Sequence, residues 1–309
     1  MMMIKPKFWD KEIGLISILL LPFSLIVLFL IFLKRNFTKN NTFNIPVICV
    51  GNIYVGGTGK TPMSIFLSKE LVRLGKKPVI IRKFYKEHTD EHDLIKNSFE
   101  SLILNSKRLA GIKEAIKSGY DIAVLDDGFQ DYSIKKNLNI VCFNQNQLIG
   151  NGLVLPAGPL RESLDSLTNA DIIIVNGQRD KNFEEKILKI NSDLKIFYSR
   201  YKAENLNEFK DKRLFALAGI GNPENFFQLI ENNNLIIEKK FIFPDHYKFS
   251  KSEIQNIISE AERCSCEIVM TEKDYFKIKD FNLKNINYLK VSLVLDEQEN
   301  LFSMVKEII

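Results

Sequence analysis

Hydrophobic and polar positions follow two regimes along this chain. The first is one unbroken apolar run, residues 13–33, which is 21 residues without a charge. As a helix it would extend roughly 32 Å, close to the roughly 30 Å hydrocarbon core of a bilayer. Pro22 sits inside it, Lys5, Lys7 and Lys11 precede it, and Lys34, Arg35 and Lys39 follow it. A cleaved signal peptide is the rival reading, but no small-x-small cleavage site follows the run. A membrane-associated helix is therefore expected within residues 1–40. A bilayer-spanning helix and one lying half-inserted at the surface both fit the pattern. By the positive-inside tendency, the basic flank places the following body on the cytoplasmic face.

The second regime is an alternation of short apolar runs and longer amphipathic stretches. Strands are expected at 45–50, 78–81, 122–125, 139–143 and 172–175, with helices between them at 61–74 and 108–118. Continuous apolar strands separated by helices predict a parallel sheet covered on both faces. Residues 193–212 are polar and read as a connector. A second alternating block follows, with strands at 214–218, 235–243, 267–271 and 288–294. Its helices are expected at 223–231, 251–263 and from residue 297. The fold class expected from this pattern is α/β, two domains built on parallel sheet covered by helices on both faces, preceded by the N-terminal hydrophobic helix. The expected divisions are 1–40 for the helix, 41–205 for a nucleotide-binding domain and 206–309 for a smaller α/β domain.

Composition narrows this picture only modestly. A chain of 309 residues with 45% hydrophobic content buries a large core and is not disordered. The net charge of +5 is too weak to indicate nucleic acid and suits anionic lipid or phosphate. Of the four cysteines, Cys264 and Cys266 form Cys-Ser-Cys, which lacks the usual metal spacing. Cys49 and Cys142 lie in expected strands, so reduced structural thiols are the reading.

Candidate chemistry concentrates after the first body strand. Val55-Gly56-Gly57-Thr58-Gly59-Lys60-Thr61 lies between that strand and a helix. Small residues there let backbone N–H groups curl around an anion, and the helix N-terminus adds partial positive charge. Lys60 would reach the β- and γ-phosphates of ATP, and the Thr61 hydroxyl would ligate Mg²⁺. Tyr54 occupies the position of the usual first glycine, which leaves Gly56 and Gly57 to do its work. Downstream, the strand at 122–125 runs into Asp126 and Asp127. Carboxylates at that edge of a parallel sheet sit where a phosphate loop presents its ligand, so they are candidate metal-site residues. Residues 151–162 lack either periodicity, and Arg161 and Glu162 read equally as nucleotide or metal contacts or as part of a structural turn. Of the histidines His88, His92 and His246, the last follows a strand and precedes a helix that Ser250 caps.

These motifs together resemble the tetraacyldisaccharide 4'-kinase family, the lipid A kinases of Gram-negative bacteria. The resemblance covers nearly the whole chain. It rests on the N-terminal helix, Gly51-Asn52 through Pro62, Asp126-Asp127-Gly128-Phe129-Gln130, Gly150-Asn151-Gly152 through Glu162, Asp245-His246-Tyr247 and Thr271-Glu272-Lys273-Asp274. It implies a two-domain P-loop kinase-like α/β/α sandwich, and transfer of the ATP γ-phosphate to the 4'-hydroxyl of a tetraacylated glucosamine disaccharide 1-phosphate, giving lipid IV-A, at the cytoplasmic face of the inner membrane. It also implies Asp90 as catalytic base with His246 as its partner. Because these two lie far apart in sequence, the expectation is that they meet only where two domains face each other. Three departures stand out: Ile81-Arg82-Lys83-Phe84-Tyr85 replaces Ser-Arg-Gly-Tyr-Gly, Thr89 replaces the glycine before Asp90, and Asp131 replaces a histidine. The alternative is a membrane-anchored P-loop ATPase or nucleotide switch that does no transfer chemistry. A structural membrane tether with a degenerate loop leaves Lys60, Thr61 and the two aspartates unexplained.

Overall fold

The computed structural model describes residues 6–85, 89–245 and 247–309, without the side chains of residues 89 and 90. A 3-10 turn at Lys7–Asp10 leads into α1 (Leu15–Phe37), which accounts for the long apolar run and continues through Pro22. The chain then forms β1 (Val47–Gly51), α2 (Lys60–Arg73), β2 (Pro78–Lys83), α3 (Thr89–Ser98), β3 (Leu102–Asn105) and α4 (Arg108–Lys117). Next come β4 (Ile122–Asp126), β5 (Leu138–Asn144), β6 (Ile172–Asn176), α5 (Lys181–Leu188) and β7 (Lys195–Ala203). The remainder is β8 (Arg213–Ala218), α6 (Pro223–Glu231), β9 (Ile236–Ile242), α7 (Lys251–Arg263), β10 (Glu267–Thr271), α8 (Glu272–Ile278), β11 (Ile286–Leu289), β12 (Val291–Leu295) and α9 (Gln298–Lys306).

The strands form two sheets, ordered β12-β7-β6-β5-β1-β4-β2-β3 and β11-β10-β8-β9. The body is thus an α/β fold built on parallel pairing, as in β1 with β4 and β5, and β8 with β10 and β9. The order positions the site. From β1 the chain crosses to β2 on one side, and after β4 it passes to β5 on the other. The loop after β1 therefore opens at the reversal point of the sheet, where α/β folds hold their ligands. β1, β4 and β6 are buried along their whole length, which is why they read as uninterrupted apolar runs.

Two compact units emerge from the packing, and neither is continuous in sequence. One comprises Lys5–Phe84, Ser101–Arg200 and Leu295–Ile309; the other takes in Tyr85–Glu100 and Tyr201–Val294. In the first, Val47, Cys49, Ala123, Leu125, Val141 and Phe143 share one core with Ile112 of α4 and Phe183 of α5. In the second, period two sorts the strand residues. Leu214, Ala216 and Ala218 pack with Phe226, Phe227 and Ile230 of α6, while Phe215 and Leu217 pack with Ile254, Ile257 and Ala261 of α7. Each fully buried large side chain contributes about 1.5–3 kcal/mol.

Three local expectations change. Residues 193–212 are not only a connector, because β7 lies within them. Only Phe197, Ser199 and Ala203 of that strand are buried, and Arg200 and Lys202 interrupt its second half, so its apolar signal is weak. The strand expected at 288–294 is two strands separated at Lys290 and belonging to different sheets. Helix α3, which the polar stretch after residue 88 did not announce, groups with the second unit, and α9 with the first.

Candidate active site

The loop between β1 and α2 is held from its own start. Asn52 is fully buried, and its Nδ2 donates to the Tyr54 carbonyl at 2.6 Å and to Thr58 Oγ1 at 2.9 Å. Its carbonyl accepts from Gln130 Nε2 at 2.8 Å, which ties the loop to the stretch after β4. Gly59 caps α2 with φ 88°, a conformation in which glycine avoids the steric cost of a side chain. The helix then begins at Lys60, so its free N–H groups face the loop.

Tyr54 explains how the loop does without its first glycine. Its side chain is fully buried, and its hydroxyl donates to Asp10 Oδ1 at 2.8 Å. Its backbone bridges Leu160, while Val55 N donates to the Pro159 carbonyl and Arg161 N to the Ile53 carbonyl. Residues 153–161 thus form the wall behind the phosphate loop. That wall is in turn held by the N-terminal segment. Trp9 Nε1 donates to the Pro156 carbonyl at 3.1 Å, and Ser24 Oγ of α1 donates to the Val154 carbonyl at 2.8 Å. Ser24 Oγ also accepts from Ala157 N at 3.1 Å, and Asn151 Nδ2 donates to Ser17 Oγ at 3.2 Å. Ser17 and Ser24 are buried, whereas Leu19, Phe23, Leu25, Ile26, Phe29 and Leu30 of the same helix are exposed. α1 therefore has one face fixed to the body and an apolar face that is not.

The charged groups meet at the mouth of the loop. Lys60 Nζ is 3.9 Å from Asp127 Oδ1, and Arg161 Nη1 donates to that same oxygen at 2.9 Å. Burial lowers the Lys60 pKa below the ordinary lysine range, although the Asp127 charge opposes it. For Asp127 burial acts to raise the pKa, but Lys60, Arg161, Arg108 and Arg82 outweigh it and hold the carboxyl well below the usual range. Asp126 is fully buried. It accepts from Thr61 Oγ1 at 3.1 Å and Ser64 Oγ at 3.1 Å, and it is ion-paired with Arg82. Arg82 also donates to Thr61 Oγ1 at 3.2 Å. The pairing follows from register, since Arg82 on β2 stands directly opposite Asp126 on β4.

A divalent cation fits this donor set. Mg²⁺ takes one or two carboxylates and completes its shell with water and phosphate oxygens. Thr61 and Asp127 offer hard oxygens beside the loop, and Asp126 is hydrogen-bonded to Thr61 with its remaining capacity committed to Ser64 and Arg82.

The sequence candidates separate on inspection. Lys60, Thr61, Asp126, Asp127 and Arg161 come together. Glu162 is buried and accepts from the Tyr132 hydroxyl, and its Oε2 has no hydrogen-bond partner among the described residues. His246 and the Asp90 side chain lie outside the described residues. Their chain neighbours do not. Lys273 Nζ lies 3.0 Å from Asp245 Oδ1 and 3.5 Å from Glu91 Oε1, all within the second unit. The stretches that carry Asp90 and His246 thus belong to one compact unit, since α3 groups with it although it lies between β2 and β3 in sequence; the meeting of the two side chains themselves lies outside the described residues. The motif Thr271-Glu272-Lys273-Asp274 has a structural role as well. Thr271 caps α8 by accepting from Asp274 N, and buried Asp274 accepts from Gly219 N at 2.7 Å.

Sequence reasoning gave no role to Arg82 or Arg108. For Arg82 the available signal is a cation ending one strand when a neighbouring strand ends in an acid. Arg108 carried none, since it opens an ordinary amphipathic helix.

A phosphate loop at the reversal point of a parallel sheet, backed by a lysine and two acids, defines a P-loop nucleotide-binding α/β protein. The family model described as LpxK, tetraacyldisaccharide-1-P 4'-kinase, matches residues 16–309. A tetraacyldisaccharide 4'-kinase from Pelagibacter ubique is 41% identical over 302 residues, covering 96% of this chain and 95% of that protein. Another from Rickettsia canadensis is 36% identical over 309 residues, covering 94% and 93%. Among solved structures, LpxK from Aquifex aeolicus in complex with ATP superposes with a TM-score of 0.74 at 23% identity, covering 95% of this chain and 99% of that one. The chain belongs to the tetraacyldisaccharide-1-P 4'-kinase family.

Proposed function

We infer that this protein transfers the γ-phosphate of ATP to the 4'-hydroxyl of a tetraacyldisaccharide 1-phosphate, the step that yields lipid IV-A in lipid A biosynthesis. Family membership supports the reaction, and the observation that carries the chemistry is the convergence of Lys60, Asp127 and Arg161 at the N-terminus of α2. The nucleotide-switch alternative is not favoured, because the relatives are named for transfer to a lipid disaccharide.

Phosphoryl transfer asks a protein mainly for positioning and electrostatic stabilisation. Backbone N–H groups of residues 55–61 and the α2 N-terminus bind the phosphates. Lys60 follows the charge that develops on the transferred group. It is held ready by Asp127, which gives its proton no competing base at neutral pH because its own pKa is depressed. Arg161 supplies a second cation at the same carboxylate. Thr61, Asp127 and, through Thr61, Asp126 would hold Mg²⁺, which supplies neutralisation of the β- and γ-oxygens when bound. Asp90 acts as the general base on the sugar hydroxyl, with His246 orienting it. Lys273 supports this reading, since it joins the residues next to each of them.

The apolar helix α1 supports placement at the membrane. Its exposed apolar face enters the lipid at the cytoplasmic face of the inner membrane of a Gram-negative cell, and Lys34 and Arg35 flank it. Both basic side chains also reach the body, Lys34 to the Gln130 carbonyl at 3.0 Å and Arg35 to Asn169 at 3.3 Å. Contacts from Ser17 to Arg35 support a helix lying against the body and half-inserted, because a spanning helix would carry the 151–169 stretch into hydrocarbon. The experiment that tests the function is transfer of phosphate from ATP to the lipid acceptor, with Lys60→Ala as control.

A further inference from the structure

The turn that carries both acids is gripped by a residue outside the transfer chemistry. Asp127 has φ 56°, a left-handed conformation that is uncommon in non-glycine residues and that local contacts stabilise. Arg108, the first residue of α4, grips the carbonyl side of this turn, while Asp127 N donates to the Val50 carbonyl at 2.9 Å. Its Nη2 donates to the Asp127 carbonyl at 2.6 Å and to the Asp126 carbonyl at 3.3 Å. Its Nη1 lies 3.6 Å from Asp131 Oδ2, and the two side chains are 10% and 23% exposed. Asp131 is itself fixed, accepting from Ser133 Oγ at 2.6 Å, while its N–H closes the turn on the Gly128 carbonyl at 3.0 Å. One planar guanidinium therefore spans residues 126–131, from the first two carbonyls to the last side chain. Lys136 donates to the Phe129 carbonyl of the same turn, and burial lowers its pKa although Asp131 opposes this.

Two half-buried cations beside one turn are favoured by a fixed anion between them. Histidine, which the family resemblance expects at position 131, is neutral or cationic near neutral pH and supplies none. We propose that Asp131 and Arg108 form one positioning unit that sets the Asp126–Asp127 turn. Through it they fix the direction of the Asp127 carboxylate and the response of the site to a divalent cation. Neither residue touches the reacting atoms. This rests on the kinase reading for its effect on turnover, but not for its effect on cation-dependent nucleotide binding.

The test uses the full chain with Asp131→Asn, Arg108→Lys and the double variant. Asn keeps the shape of Asp131 without its charge, and Lys keeps the charge of Arg108 without its fork. Calorimetry without lipid measures how much Mg²⁺ strengthens ATP binding, and steady-state assays separate kcat from KM. Each single variant is expected to lose about 10- to 100-fold of the Mg²⁺-dependent gain and a similar factor in kcat, with lipid KM unchanged. The double variant is expected to be no worse than Arg108→Lys alone, because residues acting as a unit are not additive. Asp131→Glu, which restores the charge, is expected to recover most of the loss. An unaltered Mg²⁺ gain in both single variants, or losses that multiply in the double variant, overturns the proposal. If Arg108→Lys does not fold, Asp131→Asn and its rescue by Asp131→Glu decide the matter. A wild-type protein that binds MgATP yet phosphorylates no lipid defeats the kinase reading instead, and the calorimetric comparison still judges the pair.

Discussion

Arg82 and Asp126 are ion-paired across adjacent strands with side chains 6% and 0% exposed. Breaking such a buried pair from one side leaves an uncompensated charge and costs about 3–5 kcal/mol. Arg82→Ala is therefore expected to lower unfolding stability by about that amount in denaturant titrations. Asp126→Asn leaves the Arg82 charge uncompensated in turn and is expected to cost a similar amount. Equal stability of Arg82→Ala and wild type contradicts the pairing.

The pH response follows from Lys60 and Asp127. The Lys60 pKa is lower in the folded protein than in the unfolded chain, so the unfolded chain binds more protons in that window and stability rises with pH there. ATP affinity moves the other way, since the ammonium charge is lost. In the free protein it is expected to decline at alkaline pH before an exposed lysine titrates, and Lys60→Arg is expected to abolish that decline. Asp127 has a depressed folded pKa. Its stabilisation is present above the unfolded carboxyl pKa of about 3.9 and is lost as pH falls through the folded value. Asp127→Asn is expected to flatten the acid limb of the stability profile, as read by melting temperature against pH.

The two faces of α1 are expected to respond differently. Leu25 and Phe29 are exposed, so Leu25→Glu and Phe29→Glu should weaken sedimentation with anionic vesicles and leave the melting temperature and ATP affinity in place. Ser24→Ala removes one of the two donors to the Val154 carbonyl, which keeps Gly158 N, and the acceptor of the Ala157 N–H. It is expected to lower stability by about 1–3 kcal/mol with vesicle binding unchanged. Deleting the whole helix should do both, because the wall behind the phosphate loop loses its support. A truncated protein that keeps its full melting temperature contradicts this docking.

For Asp90 as the proposed base, Asp90→Ala is expected to reduce kcat by about 10²- to 10⁴-fold with ATP affinity nearly intact. His246→Ala should cost less, and the two losses should not multiply. Lys273→Ala, which removes the ion pairs to Glu91 and Asp245, is expected to lower kcat without altering ATP affinity. Fully multiplicative losses in Asp90→Ala with His246→Ala argue against a coupled pair.

Much of this was legible in the sequence wherever burial is complete. β1, β4 and β6 are covered on both faces, so their apolar runs gave their places directly. β7 buries one sparse face, which left Lys195–Ala203 looking like a connector. The strand boundary at Lys290 left no pattern, because β11 and β12 differ in pairing partner and not in residue type. In the site, Lys60, Thr61, Asp126 and Asp127 sit in contiguous motifs whose chemistry requires those types. Arg82 and Arg108 act through register and through backbone carbonyls, which depend on which strands and helices become neighbours. The same holds for α3, whose grouping with the second unit depends on packing that no local pattern encodes.

The most direct test of the account is mass spectrometry of the lipid after incubation with ATP, Mg²⁺ and tetraacyldisaccharide 1-phosphate. The expected result is one added phosphate on the non-reducing sugar, matched mole for mole by ADP and absent with Lys60→Ala. ADP formed at the same rate with and without acceptor, and no phosphate gained by the lipid, would contradict it.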